Sequence, residues 1–125
     1  MTQIIGRGER AFMEILARNY KINPQIRVNT LTETEDTSER RKKETVDFVI
    51  YNTEKKNIVV RIQDKRHKSE KMSNIDYNQK IDLQNAGYIV IDIPEEECPH
   101  LFNDEVNEDS ISEIRYYLKD YIQIS

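Results

Sequence analysis

The sequence predicts an α/β domain in which a mixed four-stranded sheet is flanked by helices. Three observations predict this class. Segments with apolar residues at helical spacing alternate with short apolar runs typical of strands, two such runs share a short polar connection, and a further strand follows a helix. The expected order is α-β-β-β-α-β-α. With 125 residues, we expect one domain spanning 1–125.

The N-terminal part predicts a helix, a strand and a loop. Residues 8–20 carry apolar side chains at helical spacing, with most charged side chains off that face. Asn23 and Pro24 are expected to end this region. Residues 25–31 alternate apolar and polar side chains, which predicts a half-buried strand, and the polar residues 32–43 predict a loop.

The middle of the chain predicts a hairpin followed by a crossover helix. Residues 45–51 and 57–64 are strongly apolar runs separated by five polar residues, which favours an antiparallel pair. Residues 74–86 predict a helix, and residues 88–93 predict a strand. Because this strand follows a crossover helix, we expect it to lie parallel to an earlier strand.

The C-terminal part predicts an acidic loop and a terminal helix. The loop is expected over 95–109 and the helix over 110–122. Ser110 and Glu113 have the spacing of a capping box, which would start the helix at Ser110.

Composition excludes several classes of protein. The single Cys98 cannot form an intrachain disulfide or a cysteine-built zinc cage. No segment reaches the roughly 18 apolar residues of a membrane span, and the N-terminus lacks the apolar region of a signal peptide. We therefore expect a soluble cytoplasmic protein without a membrane partner.

Charge is distributed unevenly along the chain. The net charge is -4, yet residues 38–71 contain 11 basic and 6 acidic residues, whereas residues 92–120 contain 2 basic and 10 acidic ones. A basic middle segment indicates a surface for a polyanion. The acidic segment can limit the orientation of such a ligand or dock a basic partner.

The predicted hairpin carries the candidate chemistry. Side chains alternate between the two faces of a strand, so one face of the second strand of this hairpin carries Arg61, Gln63 and Lys65. On the neighbouring strand, Asp47 lies between apolar residues. Oxygen ligands from these strands can bind a hard cation, with a lysine beside the hydrolytic water, an arrangement suited to phosphodiester hydrolysis. Two structural roles stay open: Asp47 can pair with Arg61 across the hairpin, and Lys65 can be a solvated residue at a strand end.

The joint spacing of several short motifs resembles the PD-(D/E)XK, or restriction-endonuclease-like, nuclease superfamily. Within it, the chain is similar to the small branch that contains the very short patch repair endonucleases. The resemblance covers about residues 5–97. Its motifs are Glu9 on the first helix, the strand motif Val46-Asp47-Phe48, the segment 60–67, and Asp76, Gln79, Leu83 and Gly87-Tyr88 at matching steps.

This resemblance implies a restriction-endonuclease-like core and a DNA endonuclease that uses Mg²⁺ or Mn²⁺. In a Gln-x-Lys variant of the superfamily's motif, Asp47, Gln63 and Glu9 are the metal ligands and Lys65 is the catalytic amine. DNA phosphates would then be contacted by the surrounding basic residues Arg40, Arg41, Lys42, Lys43, Arg61, Arg66, His67 and Lys68. Small members of this superfamily often cleave as homodimers or in a larger complex that supplies specificity.

The chain departs from that branch at two positions. Arg61 stands where the branch places a metal-binding Glu, and Gln63 stands where it has an Asp. An arginine repels a cation and stays protonated. The alternative is therefore a catalytically degenerate module that binds DNA or another protein. Glu9 can likewise be an exposed carboxylate in a first helical turn, and His67 a surface histidine.

Overall fold

The computed structural model describes residues 9–33, 44–51, 56–63 and 70–122, without the side chains of residues 9 and 70–73. The elements are α1 (Glu9–Leu16), β1 (Lys21–Arg27), α2 (Val28–Thr32), β2 (Thr45–Tyr51), β3 (Ile58–Gln63), α3 (Glu70–Asn85), β4 (Ile89–Pro94), a 3₁₀ turn (Glu95–Glu97), α4 (Pro99–Phe102) and α5 (Glu108–Leu118). They form the α/β fold with a four-stranded mixed sheet that the sequence predicts.

The sheet follows the strand order β1-β2-β3-β4. β2 is antiparallel to both β1 and β3, with Phe48 opposite Val60. β4 is parallel to β3, with Arg61 opposite Asp92, and α3 forms the crossover between them. The hairpin and the parallel final strand are thus confirmed.

Helices cover both faces of the sheet, and each face has its own apolar core. One core joins α1, α4 and α5 to the sheet, and the Phe12 and Phe48 rings stack there with centroids 4.8 Å apart. The other joins α2 and α3 to the opposite face around Val49, Val59 and Leu83. The sheet is therefore the central layer between two groups of helices.

The predicted N-terminal strand is displaced in the structure. β1 already begins at Lys21 and contains Pro24, whereas Val28 starts the short helix α2. Proline is tolerated because β1 pairs with β2 alone in the described sheet, and an edge strand does not need every N–H group for pairing. The first helix ends at Leu16, before the predicted Tyr20.

The predicted acidic loop 95–109 contains helical structure, namely the 3₁₀ turn and α4. The C-terminal helix begins at Glu108, because Asn107 and not Ser110 caps it. The Asn107 side chain accepts from the Ser110 N–H, and the Ser110 hydroxyl accepts from the Asn107 N–H. Glu113 instead accepts hydrogen bonds from the N–H groups of His100 and Leu101 on α4.

Two boundaries in the middle of the chain also differ from the prediction. β3 covers Ile58–Gln63, and α3 starts at Glu70, four residues before the predicted start. Most of the predicted loop 32–43 lies outside the described residues. Among the residues described, no helix is both long and apolar enough to cross a bilayer.

Candidate functional site

β2 and β3 separate at one end, and Asp47 lies in the gap between them. Their pairing extends from Ile50–Ile58 to Phe48–Val60, after which β2 continues along β1 and β3 continues along β4. Beyond this point Asp47 Oδ2 accepts a 2.7 Å hydrogen bond from the Ile62 N–H. Because the N–H groups of a strand point along the plane of its sheet, the carboxylate lies in the gap.

A local distortion of β1 accompanies this position of Asp47. Gln25 has a positive φ of 53° and lies between Pro24, which pairs with Phe48, and Ile26, which pairs with Val46. Before this point Ile22 packs in the core of α1, and after it Ile26 packs in the core of α2 and α3. The regular alternation of side chains therefore breaks beside Asp47, and backbone strain of this kind costs energy that the surrounding structure must supply.

Arg61 connects the sheet to α3 from a buried position. Its residue exposure is 5%, and its guanidinium makes a two-point ion pair with Asp92 through Nε–Oδ1 at 2.7 Å and Nη2–Oδ2 at 2.9 Å. Nη1 donates to the Asp76 carbonyl at 2.8 Å and to Gln79 Oε1 at 3.2 Å. Together, the two-point pair with Asp92 and the two bonds to α3 fix the position of α3 over β3 and β4.

This geometry corrects two expectations for Arg61. The guanidinium is directed at Asp92 and α3 and is buried, so Arg61 does not present a surface charge to a phosphate. Its ion-pair partner is Asp92 on β4 and not Asp47 on β2. The reason is the parallel register, which places Asp92 directly beside Arg61.

Gln63 lies at the end of β3, half-buried, and its amide group has a defined orientation. Nε2 donates to Asp92 Oδ1 at 3.4 Å, the same oxygen that accepts from Arg61 Nε. A carboxylate can only accept, so the amide nitrogen faces Asp92 and the amide oxygen is at the other end of the group. Ile62, whose N–H binds Asp47, immediately precedes Gln63.

Asp92 contacts two cationic side chains, Arg61 and Lys80. Asp92 compensates the positive charge of Arg61, and the Lys80 amine lies 3.9 Å from Asp92 Oδ2. The repulsion that an unpaired Arg61 would exert on a cation is therefore reduced. Two polar side chains, Arg61 and Gln63, follow Val59 on its face of β3, and both contact Asp92.

Several predicted residues lie outside the description. These are Lys65, the basic residues Arg40, Arg41, Lys42, Lys43, Arg66, Lys68 and His67, and the side chain of Glu9, whose backbone begins α1. Of the predicted ligands, Asp47 accepts from the N–H of Ile62, the residue before Gln63, and the Gln63 amide nitrogen donates to Asp92 on β4.

The donor set of Asp47 and Gln63 fits a hard divalent cation. One carboxylate and one amide oxygen suit Mg²⁺, which usually binds one or two carboxylates and keeps several waters. Within the four described ranges, no three His, Cys, Asp or Glu side chains converge on a common point. A cage built entirely from such side chains is therefore not formed by that part of the protein.

The acidic segment contains a second polar cluster around His100. Its Nδ1 lies 2.8 Å from Glu105 Oε2, and its Nε2 lies 3.8 Å from Asp109. The hydrogen bond with Glu105 raises the pKa of His100, and the same bond lowers the pKa of Glu105. Nearby, burial raises the pKa of Cys98 to about 12. Many of the acidic side chains thus serve local structure.

Asp92 has no role in the sequence analysis, and Gln79 enters it only as one position of the superfamily resemblance. Asp92 is the single charged residue in the apolar run of β4, a pattern that indicates a partner when the strand is buried. Gln79 is 7% exposed and contacts Arg61 from α3. Only the fold shows that the two residues meet at the same guanidinium.

Comparison of the chain with protein-family models, with curated proteins and with solved structures finds no match.

Proposed function

We propose that this protein is a Mg²⁺-dependent DNA endonuclease with a restriction-endonuclease-like core, with Mn²⁺ as an alternative ion. One observation carries the proposal: the Asp47 carboxylate accepts a hydrogen bond from the N–H of Ile62, where β2 and β3 separate, and Gln63 is the next residue along β3. The ion pair of Arg61 with Asp92 supports it, because it removes an uncompensated positive charge from the site.

Asp47 and Gln63 would hold the ion through oxygen, together with Glu9. When bound, the ion would polarise a phosphate oxygen and lower the pKa of a coordinated water. Lys65 would stabilise the negative charge that develops on the phosphate. Asp47 is oriented by the hydrogen bond that its carboxylate accepts from the Ile62 N–H.

The remaining basic residues would bind the DNA backbone. The run Arg40–Lys43 precedes β2, and Arg66, His67 and Lys68 follow β3, so both sets flank the ends of the strands that carry Asp47 and Gln63. Such contacts supply affinity without sequence information and weaken steeply with salt. We also propose that the enzyme is cytoplasmic. Because phosphate contacts carry no sequence information, specificity would come from a homodimer or from a larger complex.

A nicking assay tests this proposal. Supercoiled plasmid is incubated with Mg²⁺ or Mn²⁺ and native protein, Asp47→Asn, Lys65→Ala, or the matched controls Asp120→Asn and Lys119→Ala. Asp120 and Lys119 are exposed and follow α5 on the other face of the sheet. We expect nicking by the native protein and both controls, and none by the two site variants. Equal nicking by all five proteins would reject the proposal.

The second candidate is a DNA-binding module without catalysis. Arg61 favours it, since a cation-binding acid is replaced by a guanidinium and only Asp47 and Gln63 supply oxygen ligands among the described residues. In this case no protein nicks DNA, but native protein and Asp47→Asn shift DNA equally in a gel at low salt. Absence of a shift at low salt would contradict this candidate as well.

A further inference from the structure

We propose that Asp92 is a positioning residue, which orients the Gln63 amide so that its oxygen is available to a divalent cation at Asp47. This inference rests on the proposed function. Asp92 lies on β4, which is the strand beside β3 and away from Asp47. It would therefore act through Gln63 and not as a ligand itself.

Asp92 accepts hydrogen bonds from two residues, Arg61 and Gln63. Its Oδ1 accepts from Arg61 Nε at 2.7 Å and from Gln63 Nε2 at 3.4 Å, and its Oδ2 accepts from Arg61 Nη2 at 2.9 Å. Both oxygens are thus bonded to the guanidinium. With these bonds in place, Asp92 is suited to hold a neighbouring ligand and poorly suited to bind a cation.

The two ends of the Gln63 amide differ, because the nitrogen donates hydrogen bonds and the oxygen accepts them. If the amide were rotated by a half-turn, its oxygen would face the negative Asp92 Oδ1, which has no proton to offer. Asp92 therefore selects one of two orientations that are otherwise similar in shape. In the selected one the oxygen is directed away from β4.

Asp92 is itself held in a fixed position. Arg61 fixes it at two points and is itself anchored on α3 by the Asp76 carbonyl and Gln79. The chain of contacts runs from α3 through Arg61 and Asp92 to Gln63. A ligand that is oriented in advance loses less freedom on binding an ion than one that rotates.

The test uses nuclear magnetic resonance and Mn²⁺ as the probe. The variant Arg61→Met/Asp92→Leu removes both charges together, so that neither charge is left buried without its partner, which favours folding. Asp82→Asn on the exposed side of α3 is the matched control. The side-chain amide signals of Gln63 are assigned by their loss in Gln63→Glu, and the exposed Gln84 provides an internal reference.

In native protein and in Asp82→Asn, we expect the side-chain amide signals of Gln63 to differ in chemical shift from those of Gln84. In the double variant, we expect the Gln63 signals to lie close to the Gln84 signals. The Mn²⁺ affinity, measured by electron paramagnetic resonance, should fall about 10- to 100-fold in the double variant. A purely structural ion pair would change neither quantity in the folded protein. Unchanged Gln63 signals, or an unchanged Mn²⁺ affinity, would overturn the inference.

Failure of the proposed function gives a different result. Native protein that binds no Mn²⁺ would reject the metal-dependent nuclease. In that case displaced Gln63 signals that depend on Asp92 would still support orientation by Asp92, and signals independent of Asp92 would refute it.

Discussion

The ion pair between Arg61 and Asp92 leads to an asymmetric prediction for stability. The Arg61 side chain is 6% exposed, whereas that of Asp92 is 30% exposed. Asp92→Leu leaves a buried guanidinium without its countercharge, which costs about 3–5 kcal/mol. Arg61→Met leaves a carboxylate that water and the Lys80 amine can reach, so the loss is mainly that of charge-assisted hydrogen bonds, about 1–3 kcal/mol.

The double variant Arg61→Met/Asp92→Leu should recover much of the stability, because replacing both partners of a buried pair by apolar residues is often close to neutral. Urea unfolding followed by circular dichroism measures the free energy of unfolding for all four proteins of this cycle. For a domain of this size, about 1 kcal/mol corresponds to roughly 4 °C in Tm, so the differences are measurable.

Two results would refute this reasoning. The first is an Asp92→Leu protein no less stable than Arg61→Met, since the argument depends on their different exposure. The second is a double variant whose loss equals the sum of the single losses, which would mean that the two side chains do not interact. Asp120→Asn serves as the control for removing an exposed carboxylate, with an expected change within about 0.5 kcal/mol.

Three further predictions concern the C-terminal part. Glu113→Gln should lower the free energy of unfolding by about 1 kcal/mol in urea titrations, because it weakens two bonds to α4; an unchanged value would exclude this capping role. The raised pKa of His100 should return toward its ordinary value in Glu105→Gln, as seen by nuclear magnetic resonance. Because folding raises the pKa of His100, the protonated side chain contributes fully to the free energy of unfolding below its unfolded-state pKa. This contribution is lost as the pH rises through the folded-state pKa. A Glu105→Gln protein whose loss of stability is no larger at pH 6 than at pH 9 would contradict this. Cys98, whose pKa is raised to about 12 by burial, should react with iodoacetamide at pH 8 only after unfolding, and rapid labelling of the folded protein would show the thiol to be accessible.

The fold was predictable where hydrophobic pattern and chain connectivity agree. β2 has the predicted bounds Thr45–Tyr51, and the parallel pairing of β4 follows from the intervening helix. The displacement of β1 was not predictable from local pattern, since Pro24 is compatible with a strand only at the edge of a sheet. The start of α5 was misplaced because Ser110 is the third helical residue in a capping box with Asn107.

The candidate site was predictable only in part. Asp47 was identifiable as a carboxylate in an apolar strand, and Gln63 by its position near Lys65. The partner of Arg61 depends on the register of two strands that are far apart in sequence, which local spacing does not determine. The position of Asp47 in the strand gap depends on the end of the β2–β3 pairing and on the distortion at Gln25, which are features of the folded chain.

The central claim is that Asp47 and Gln63 form a cation site at the gap between β2 and β3. Line broadening by substoichiometric Mn²⁺ tests it most directly, because a paramagnetic ion broadens nearby backbone amide signals first. We expect early broadening at Asp47, Ile62 and Gln63, and loss of this broadening in Asp47→Asn. Broadening that instead begins around His100 and Glu105, or that is the same in Asp47→Asn, would contradict it.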